Sequence, residues 1–193
     1  MNNLLPVEIA ITSRPSAKYI NQLLKLKSGP DMLALGLFPN AKEVGESFSA
    51  YEAARKYLRI FPLNDPNVVL IAVGDGCTPR TAATFAFRST WKCISIDPSL
   101  KKDKIKWSKI NRLELINKKI EDVSTLEYEN VIIAAVHSHA PMNKILEKIK
   151  AKHRALIVMP CCVKQETGKE PDLRYRDYGV WSPHNWVSVW KDV

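Results

Sequence analysis

Segments that would direct the chain to a membrane or out of the cell are absent from the sequence. No apolar run approaches the ~20 residues of a membrane-spanning helix. The start, MNNLLPVEIAI, has neither the basic segment nor the small-residue cleavage site of a signal peptide. Repeats, low-complexity tracts and linkers are also missing. We therefore expect a soluble, cytoplasmic protein whose 193 residues, 46% of them hydrophobic, fold as one domain.

Cysteines are few and lack the spacing of a zinc site. The four thiols include an adjacent pair, Cys161-Cys162, which cannot easily bridge to itself, and no C-x-x-C motif occurs. We expect free thiols and no metal.

Acidic residues are outnumbered by basic ones. The 29 lysines and arginines against 20 acidic residues give a formal net charge of +9 and a pI near 9.4. Such an excess favours polyanionic partners, RNA among them, through counterion release. A solvated lysine surface would have the same composition, so both interpretations stay open.

The most informative stretch begins with an unbroken apolar run, Val68 to Val73, which is typical of a central strand in a parallel sheet. Gly74-Asp75-Gly76 then predicts a sharp turn that brings backbone close to a ligand. Thr78-Pro79 predicts the cap and first turn of a helix. A second strand, Cys93 to Ile96, ends at Asp97, about 20 residues after the glycines, where a ribose would lie in a nucleotide-binding sheet.

A third glycine, which dinucleotide-binding turns need three residues after the second, is replaced by Pro79. S-adenosylmethionine has no phosphates and needs only the turn and the acid. The pattern V-x-x-x-x-V-G-D-G followed by I-S-I-D-P resembles the first two motifs of class I S-adenosylmethionine-dependent methyltransferases. A structural turn with a strand-capping Asp is the alternative. The resemblance implies a set of cofactor-binding residues: Gly74, Asp75, Gly76, Cys77, Thr78, Asp97 and Pro98.

The segment before the first strand is predicted to carry a strand-like piece, Val7 to Ile11, and a helix capped by Ser47 or Ser49. In class I methyltransferases a helix at this place closes over the methionine end of the cofactor. The resemblance implies contacts from Ser47, Phe48 and Tyr51, and a role in packing alone is an equal alternative.

Downstream, Arg112 to Ile116 predicts a third strand and Val131 to Val136 a fourth. In related enzymes an acid after the third strand reads the adenine amino group, which implies that role for Glu121 and Asp122. A helix-start acid pair would look the same. The resemblance also implies cofactor contacts from Val136 and His137.

Two strand tips carry the candidate catalytic groups. The tips V-H-S-H-A-P and M-P-C-C-V-K-Q are similar to a methyltransferase branch with an L-H-x-C-G-D-like motif and a P-C-C-H or P-C-C-Y motif. That branch includes enzymes that methylate a ribose hydroxyl of the tRNA acceptor stem. His139-Ala140 here replaces its Cys-Gly step, and Val163 replaces its final His or Tyr.

The carboxyl ends of parallel strands meet at one edge, so both tips should face the ligand cavity. A histidine can remove a hydroxyl proton near neutral pH, a lysine can orient a phosphate, and a cysteine can line the acceptor pocket or react as a thiolate. Ordinary packing is the alternative for each. The candidate catalytic residues are His137, His139, Lys164, Cys161 and Cys162.

The C-terminal part, 166–193, mixes guanidinium and aromatic groups of the kind that stack on unpaired bases, although it would also suit a lid on the sheet. The segment NWVSVW alternates like an edge strand. A class I methyltransferase sheet usually ends in an antiparallel hairpin. Since NWVSVW is the only clear strand left in this part, the sheet is expected to lack that hairpin. The stacking candidates are Arg174, Tyr175, Arg176, Tyr178, Trp181, His184 and Trp186.

These patterns predict an α/β fold with a Rossmann-like, open, mostly parallel sheet and helices on both faces. An extension (1–66), a cofactor-binding core (67–165) and a C-terminal loop with an edge strand (166–193) form one domain. The expected function is S-adenosylmethionine-dependent methylation of RNA. The alternatives are an inactive methyltransferase-like module that binds RNA or aids assembly, and a nicotinamide-dependent oxidoreductase, which Pro79 and the lack of a Tyr-x-x-x-Lys pair disfavour.

Overall fold

The computed structural model describes residues 17–100, 104–162 and 166–193. The predicted strand Val7 to Ile11 and the catalytic candidate Lys164 lie outside them. Within the described part, no helix has the length and apolar character needed to cross a bilayer. Six helices are described: α1 (Lys18–Lys25), α2 (Gly29–Ala34), α3 (Ala41–Tyr57), α4 (Arg80–Arg88), α5 (Lys104–Trp107) and α6 (Met142–Lys148).

The described strands form one seven-stranded sheet in the order β3-β2-β1-β4-β5-β7-β6. The first five pair in parallel and the last two antiparallel. All five parallel strands therefore end at the same edge of the sheet, and β1 is the middle one of these five, between β2 and β4. The strands are β1 (Val68–Val73), β2 (Lys92–Ile96), β3 (Leu113–Ile116), β4 (Leu126–Val136), β5 (Ile149–Met159), β6 (Leu173–Arg176) and β7 (Trp186–Trp190).

The alternating side chains of β1 separate two hydrophobic cores. Val68, Leu70 and Ala72 pack in the core that contains residues of α1, α3 and α4. The intervening residues face the second core, where Met142 and Ile145 of α6 lie. Helices therefore cover both faces of the sheet, as predicted, and this explains why β1 is apolar at every position.

The prediction of a missing terminal hairpin is wrong. Trp186–Trp190 is an interior strand, paired with β5 on one side and with β6 on the other. The edge strand is Leu173–Arg176, which was not predicted. Only four residues long, it alternates between half-buried and exposed positions within a polar segment, so it lacks the apolar run by which a strand is recognised.

The capping predictions for two helices are also wrong. Helix α3 starts at Ala41, where the side chain of Asn40 accepts a hydrogen bond from Glu43 N at 3.1 Å. The predicted caps, Ser47 and Ser49, lie inside the helix and are fully buried. At α4, Thr78 donates instead to Leu37 O at 2.7 Å, which ties the turn after β1 to the end of α2.

Candidate active site

The turn after β1 depends on two glycines in a left-handed backbone conformation. Gly74 and Gly76 have φ values of +75° and +86°, which side-chain-bearing residues rarely adopt. A β-carbon on Gly74 would collide with Ser138, and one on Gly76 would lie 2.5 Å from the Arg80 guanidinium. The turn therefore packs bare backbone against the tip of β4 and the start of α4.

The side chain of Asp75 holds this turn in place through hydrogen bonds. Its fully buried carboxylate accepts hydrogen bonds from Thr81 N at 2.8 Å, Ala82 N at 3.1 Å and the Ser95 hydroxyl at 3.0 Å. It thus caps α4, the role that the sequence had suggested for Thr78. Burial raises the pKa of Asp75, while Arg80 and the amide donors oppose that shift. The carboxylate of Asp75 therefore holds the turn itself, and a contact between Asp75 and a cofactor remains a prediction.

Asp97, at the tip of β2, faces the turn. One carboxylate oxygen accepts a hydrogen bond from Gly76 N at 2.8 Å, and the other accepts from Ser99 N at 2.7 Å and from the Ser99 hydroxyl. An ionised carboxylate has about four acceptor sites. Ser99 is exposed and can rotate away, so a ribose hydroxyl can take the place of the serine hydroxyl on Asp97.

Asn117, which sequence reasoning missed, fixes the loop beyond Asp97. Its side-chain amide donates to the carbonyls of Asp97, Pro98 and Leu100 at 3.2, 2.9 and 3.1 Å. In the sequence, only the position of Asn117 directly after β3 could have pointed to this role.

The other predicted cofactor residues surround the same edge. Glu121 and Asp122 are exposed on a short 3₁₀ turn (Ile120–Asp122) beyond β3, and Cys77 is half-exposed in the glycine turn. Val136 is buried at the end of β4. Their contacts with a cofactor remain predictions.

A buried glutamate, also missed from the sequence, lies beside the turn. Glu46 of α3 is 1% exposed, and its carboxylate oxygens lie 3.1 Å from His137 Nε2, 3.4 Å from Lys42 Nζ and 4.0 Å from an Arg80 guanidinium nitrogen. Burial raises the pKa of Glu46, but His137 and the two cations outweigh it, so the pKa lies below its usual value. Glu46 is therefore ionised at neutral pH.

The contact between Glu46 and His137 is close but poorly aligned for a hydrogen bond, and neither of the two facing atoms has another hydrogen-bond partner. His137 has a φ of +51°, a conformation uncommon for a residue with a side chain. Its amide donates to Met159 O of β5 at 2.8 Å, which holds this conformation. Strained backbone of this kind is concentrated at functional sites.

His139, Cys161 and Cys162 come together beside this pair. His139 Nε2 lies 3.1 Å from Cys161 Sγ and 3.5 Å from Cys162 Sγ, and the two sulfurs are 3.3 Å apart. Slight burial raises the pKa of Cys161, but the His139 ring and the neighbouring cysteine overcome it and lower the pKa to about 6. The hydrogen bond with Cys161 raises the pKa of Cys162. All four cysteines are free thiols, as expected.

The loop between β6 and β7 forms a wall of the site. Asp177 anchors it, accepting hydrogen bonds from the Tyr19 hydroxyl, from the Ser49 hydroxyl at 2.7 Å and from Gly179 N at 2.9 Å. The exposed ring of His184 then lies 6.4 Å from the ring of His137. Because the anchor joins α1 and α3 to the loop, this segment is fixed against α3.

The stacking candidates from the same region differ in their contacts and in their exposure. Arg174 and Arg176 both lie with their guanidinium carbons 5.0 Å from the ring of Trp186, on the edge hairpin. Tyr178 and Trp181 are 62% and 42% exposed. Tyr175 is half-buried and packs on Tyr57 at 5.5 Å, so it takes part in the fold rather than offering a free ring.

No protein-family model matches the sequence, and no curated protein is similar to it at a significant level. Solved structures do match. A glutamate-to-glutamine mutant of MtNAS in complex with S-adenosylmethionine has a TM-score of 0.55 at 12% identity, over 91% of this chain and 71% of that one. MtNAS in complex with MTA and tNA has a TM-score of 0.55 at 11% identity, over 92% and 70%.

A TehB-like SAM-dependent methyltransferase from Corynebacterium glutamicum also matches, with a TM-score of 0.49 at 11% identity, over 92% of this chain and 98% of that one. At such low identities the similarity shows the fold alone. Together with the strand order, the match to the S-adenosylmethionine complex of MtNAS confirms the predicted fold class, a Rossmann-like α/β fold with an open, mostly parallel sheet.

Proposed function

We propose that this chain is an S-adenosylmethionine-dependent methyltransferase. The observation that carries the proposal is the hydrogen bond between Gly76 N and the Asp97 carboxylate. It joins the glycine turn and the acid at the tips of two neighbouring strands. A ligand with an amino-acid end and a ribose fits such a pair, because the turn admits close approach of the one and the carboxylate accepts the hydroxyls of the other.

In this proposal the Glu46–His137 pair prepares the methyl acceptor. The carboxylate lies 3.1 Å from His137 Nε2, and Nδ1 is the ring nitrogen assigned as the base. As the acceptor oxygen or nitrogen forms its bond to the methyl carbon, the carbon–sulfur bond breaks and the acceptor proton passes to His137. Glu46 then stabilises the imidazolium by its charge.

The cofactor is tested by calorimetric titration with S-adenosylmethionine, its demethylated product and NAD. Asp97→Asn removes the charge that a ribose would meet but keeps an acceptor for Gly76 N. Losing a charged hydrogen bond costs about 1.5–3 kcal/mol, so the variant should bind S-adenosylmethionine roughly 10- to 150-fold more weakly. The matched control is Asp192→Asn. Asp192 is exposed, and its neighbour Val193 donates a backbone hydrogen bond to Arg154 O, away from this edge.

Binding of NAD in place of S-adenosylmethionine, or equal weakening by both variants, would contradict the proposal. The reaction is tested by product analysis. Methyl transfer leaves S-adenosylhomocysteine, whereas transfer of the aminocarboxypropyl group leaves methylthioadenosine. Finding only the second product would keep the cofactor assignment but reject methyl transfer.

RNA as the acceptor is the finer part of the proposal. It is supported by the net charge of +9, by the Arg174–Trp186–Arg176 stack and by the exposed ring of Tyr178. Stacked guanidinium and aromatic groups hold unpaired bases, while the charge attracts the backbone. RNA affinity should fall steeply as salt rises, and Arg174→Gln should reduce that slope. An affinity indifferent to salt would count against RNA.

An inactive module that binds RNA is the second candidate, and the same basic, aromatic hairpin favours it. Tight binding of S-adenosylhomocysteine with no methyl transfer to any RNA would support the module over the enzyme. Loss of turnover in His137→Gln with cofactor affinity retained would support the enzyme.

A further inference from the structure

We propose that His139, Cys161 and Cys162 form a binding site for a thiophilic d¹⁰ metal ion, of which Zn²⁺ is the representative. This inference goes beyond the proposed function and replaces the expectation, drawn from cysteine spacing, that the chain holds no metal. It rests on the geometry of the three donor atoms and on the scaffold that positions them.

The donor atoms have nearly the spacing that one ion imposes. Typical zinc–ligand bonds of about 2.3 Å to sulfur and about 2.0 Å to nitrogen, at tetrahedral angles, separate two sulfurs by about 3.8 Å and a sulfur from a nitrogen by about 3.5 Å. Here the sulfurs are 3.3 Å apart, and His139 Nε2 is 3.1 and 3.5 Å from them. The side chains therefore need to spread by about half an ångström or less.

The scaffold for these residues is the rigid end of two neighbouring strands. Val136 of β4 pairs with Met159 of β5, and the His137 amide extends the pairing to Met159 O at 2.8 Å. His139 and Cys162 each follow this pair by three residues, so the strand register brings them level. The three donor atoms already lie within 3.5 Å of one another, so little rearrangement is needed when an ion binds, which lowers the entropic cost of binding.

The chemistry of the donors selects the class of ion. Two thiolates and an imidazole favour soft or borderline ions such as Zn²⁺ or Cu⁺ over Mg²⁺ and Ca²⁺, which prefer oxygen. Among the residues that the structure describes, no fourth His, Cys, Asp or Glu joins the group. His139 and Cys162 are exposed, so the fourth position is open to water or to a small ligand, as in zinc sites that exchange a ligand.

The three ligands lie near the proposed cofactor cleft. His139 follows His137 by two residues, so their Cα atoms lie at most about 7.6 Å apart. Coordination to the ion would lower the pKa of a thiol or water bound at the fourth position.

The test is calorimetric titration of the reduced, metal-free chain with Zn²⁺. One ion per chain should bind, and Cys161→Ser, Cys162→Ser and His139→Gln should each weaken binding at least about 10-fold, since even residues outside the ligand shell cost that much. Matched controls are Cys77→Ser, a half-exposed thiol, and His153→Gln, an exposed histidine on β5. Both controls should bind as the natural chain does.

Cobalt substitution gives a second measurement that does not depend on activity. A Co²⁺ complex should show sulfur-to-metal charge transfer and the intense visible bands of tetrahedral cobalt, and both should vanish in Cys161→Ser/Cys162→Ser. Equal Zn²⁺ affinity in ligand variants and controls, or a Co²⁺ spectrum without charge transfer, would overturn the proposal. The natural chain is also titrated with S-adenosylmethionine: binding of S-adenosylmethionine without Zn²⁺ would overturn only this inference, and binding of Zn²⁺ without S-adenosylmethionine would overturn only the proposed function.

Discussion

The contact between Gly74 and Ser138 holds the tips of β1 and β4 together, and Gly74→Ala tests it. An alanine at φ +75° costs about 1–2 kcal/mol in a left-handed conformation. Its β-carbon would also lie 2.7 Å from Ser138 Cβ, 3.0 Å from Ser138 Cα and closer still to the hydroxyl. Since backbone cannot rotate away, overpacking adds about 1–3 kcal/mol.

Gly168→Ala separates the two costs. Gly168 has a φ of +74°, almost the same as Gly74, but a β-carbon there meets nothing within 4 Å. This variant should lose only the conformational part, about 1–2 kcal/mol, and Gly74→Ala about 2–5 kcal/mol in all. For a chain of this size, each kcal/mol lowers the melting temperature by about 2–4 °C.

Urea unfolding followed by circular dichroism measures both free energies, and a double-mutant cycle with Ser138→Gly isolates the contact. Removing the Ser138 side chain relieves most of the collision, so Gly74→Ala should cost about 1–3 kcal/mol less in the Ser138→Gly background. If Gly74→Ala costs no more than Gly168→Ala, or if the cycle shows no coupling, the two tips are not packed as described.

Three further predictions concern buried groups. Because the pKa of Glu46 is lowered, its charge stabilises the fold at pH values above the usual pKa of a glutamate, and this benefit is lost as the pH falls through the lowered pKa. The stability difference between the natural chain and Glu46→Gln should therefore shrink as the pH is lowered from 7 to 3, and a constant difference over that range would exclude this. Asp177→Ala leaves two buried hydroxyls without their acceptor, so it should lower the free energy of unfolding by about 2–5 kcal/mol and speed proteolysis of the loop at 177–185. Asp177→Asn keeps an acceptor and should lower the free energy of unfolding by less. Burial raises the pKa of Cys93, so iodoacetamide should modify Cys77 in the folded chain and Cys93 only after unfolding. Mass spectrometry of the modified chain checks this, and rapid modification of Cys93 in the folded chain would mean that β2 is not buried.

The parts that could be predicted from the sequence are those recorded in short, contiguous patterns. The apolar run of β1, the two glycines after it and Asp97 at the end of β2 are each recognisable without knowing what packs on them. Parallel strands also end at one edge, so the histidine and cysteine tips could be assigned to the same side of the sheet.

The missed residues have signals that are weak or distant. Glu46 stands 28 positions before Gly74 in a helix of mixed polarity, where a glutamate normally faces solvent. Only the packing of α3 over β4 and β5 buries it against His137. Likewise, β6 has four residues and no apolar run, and it becomes a strand because β7 offers it an unpaired edge.

The sequence by itself determined the parallel core strands β1 and β2, the glycine turn and the acid beside it, because each follows from the backbone and burial preferences of neighbouring residues. The tertiary structure alone decided that Glu46 meets His137 and that His139 meets Cys161 and Cys162. Those contacts depend on which strands are neighbours and on their register, and register is a property of the assembled sheet rather than of any one segment.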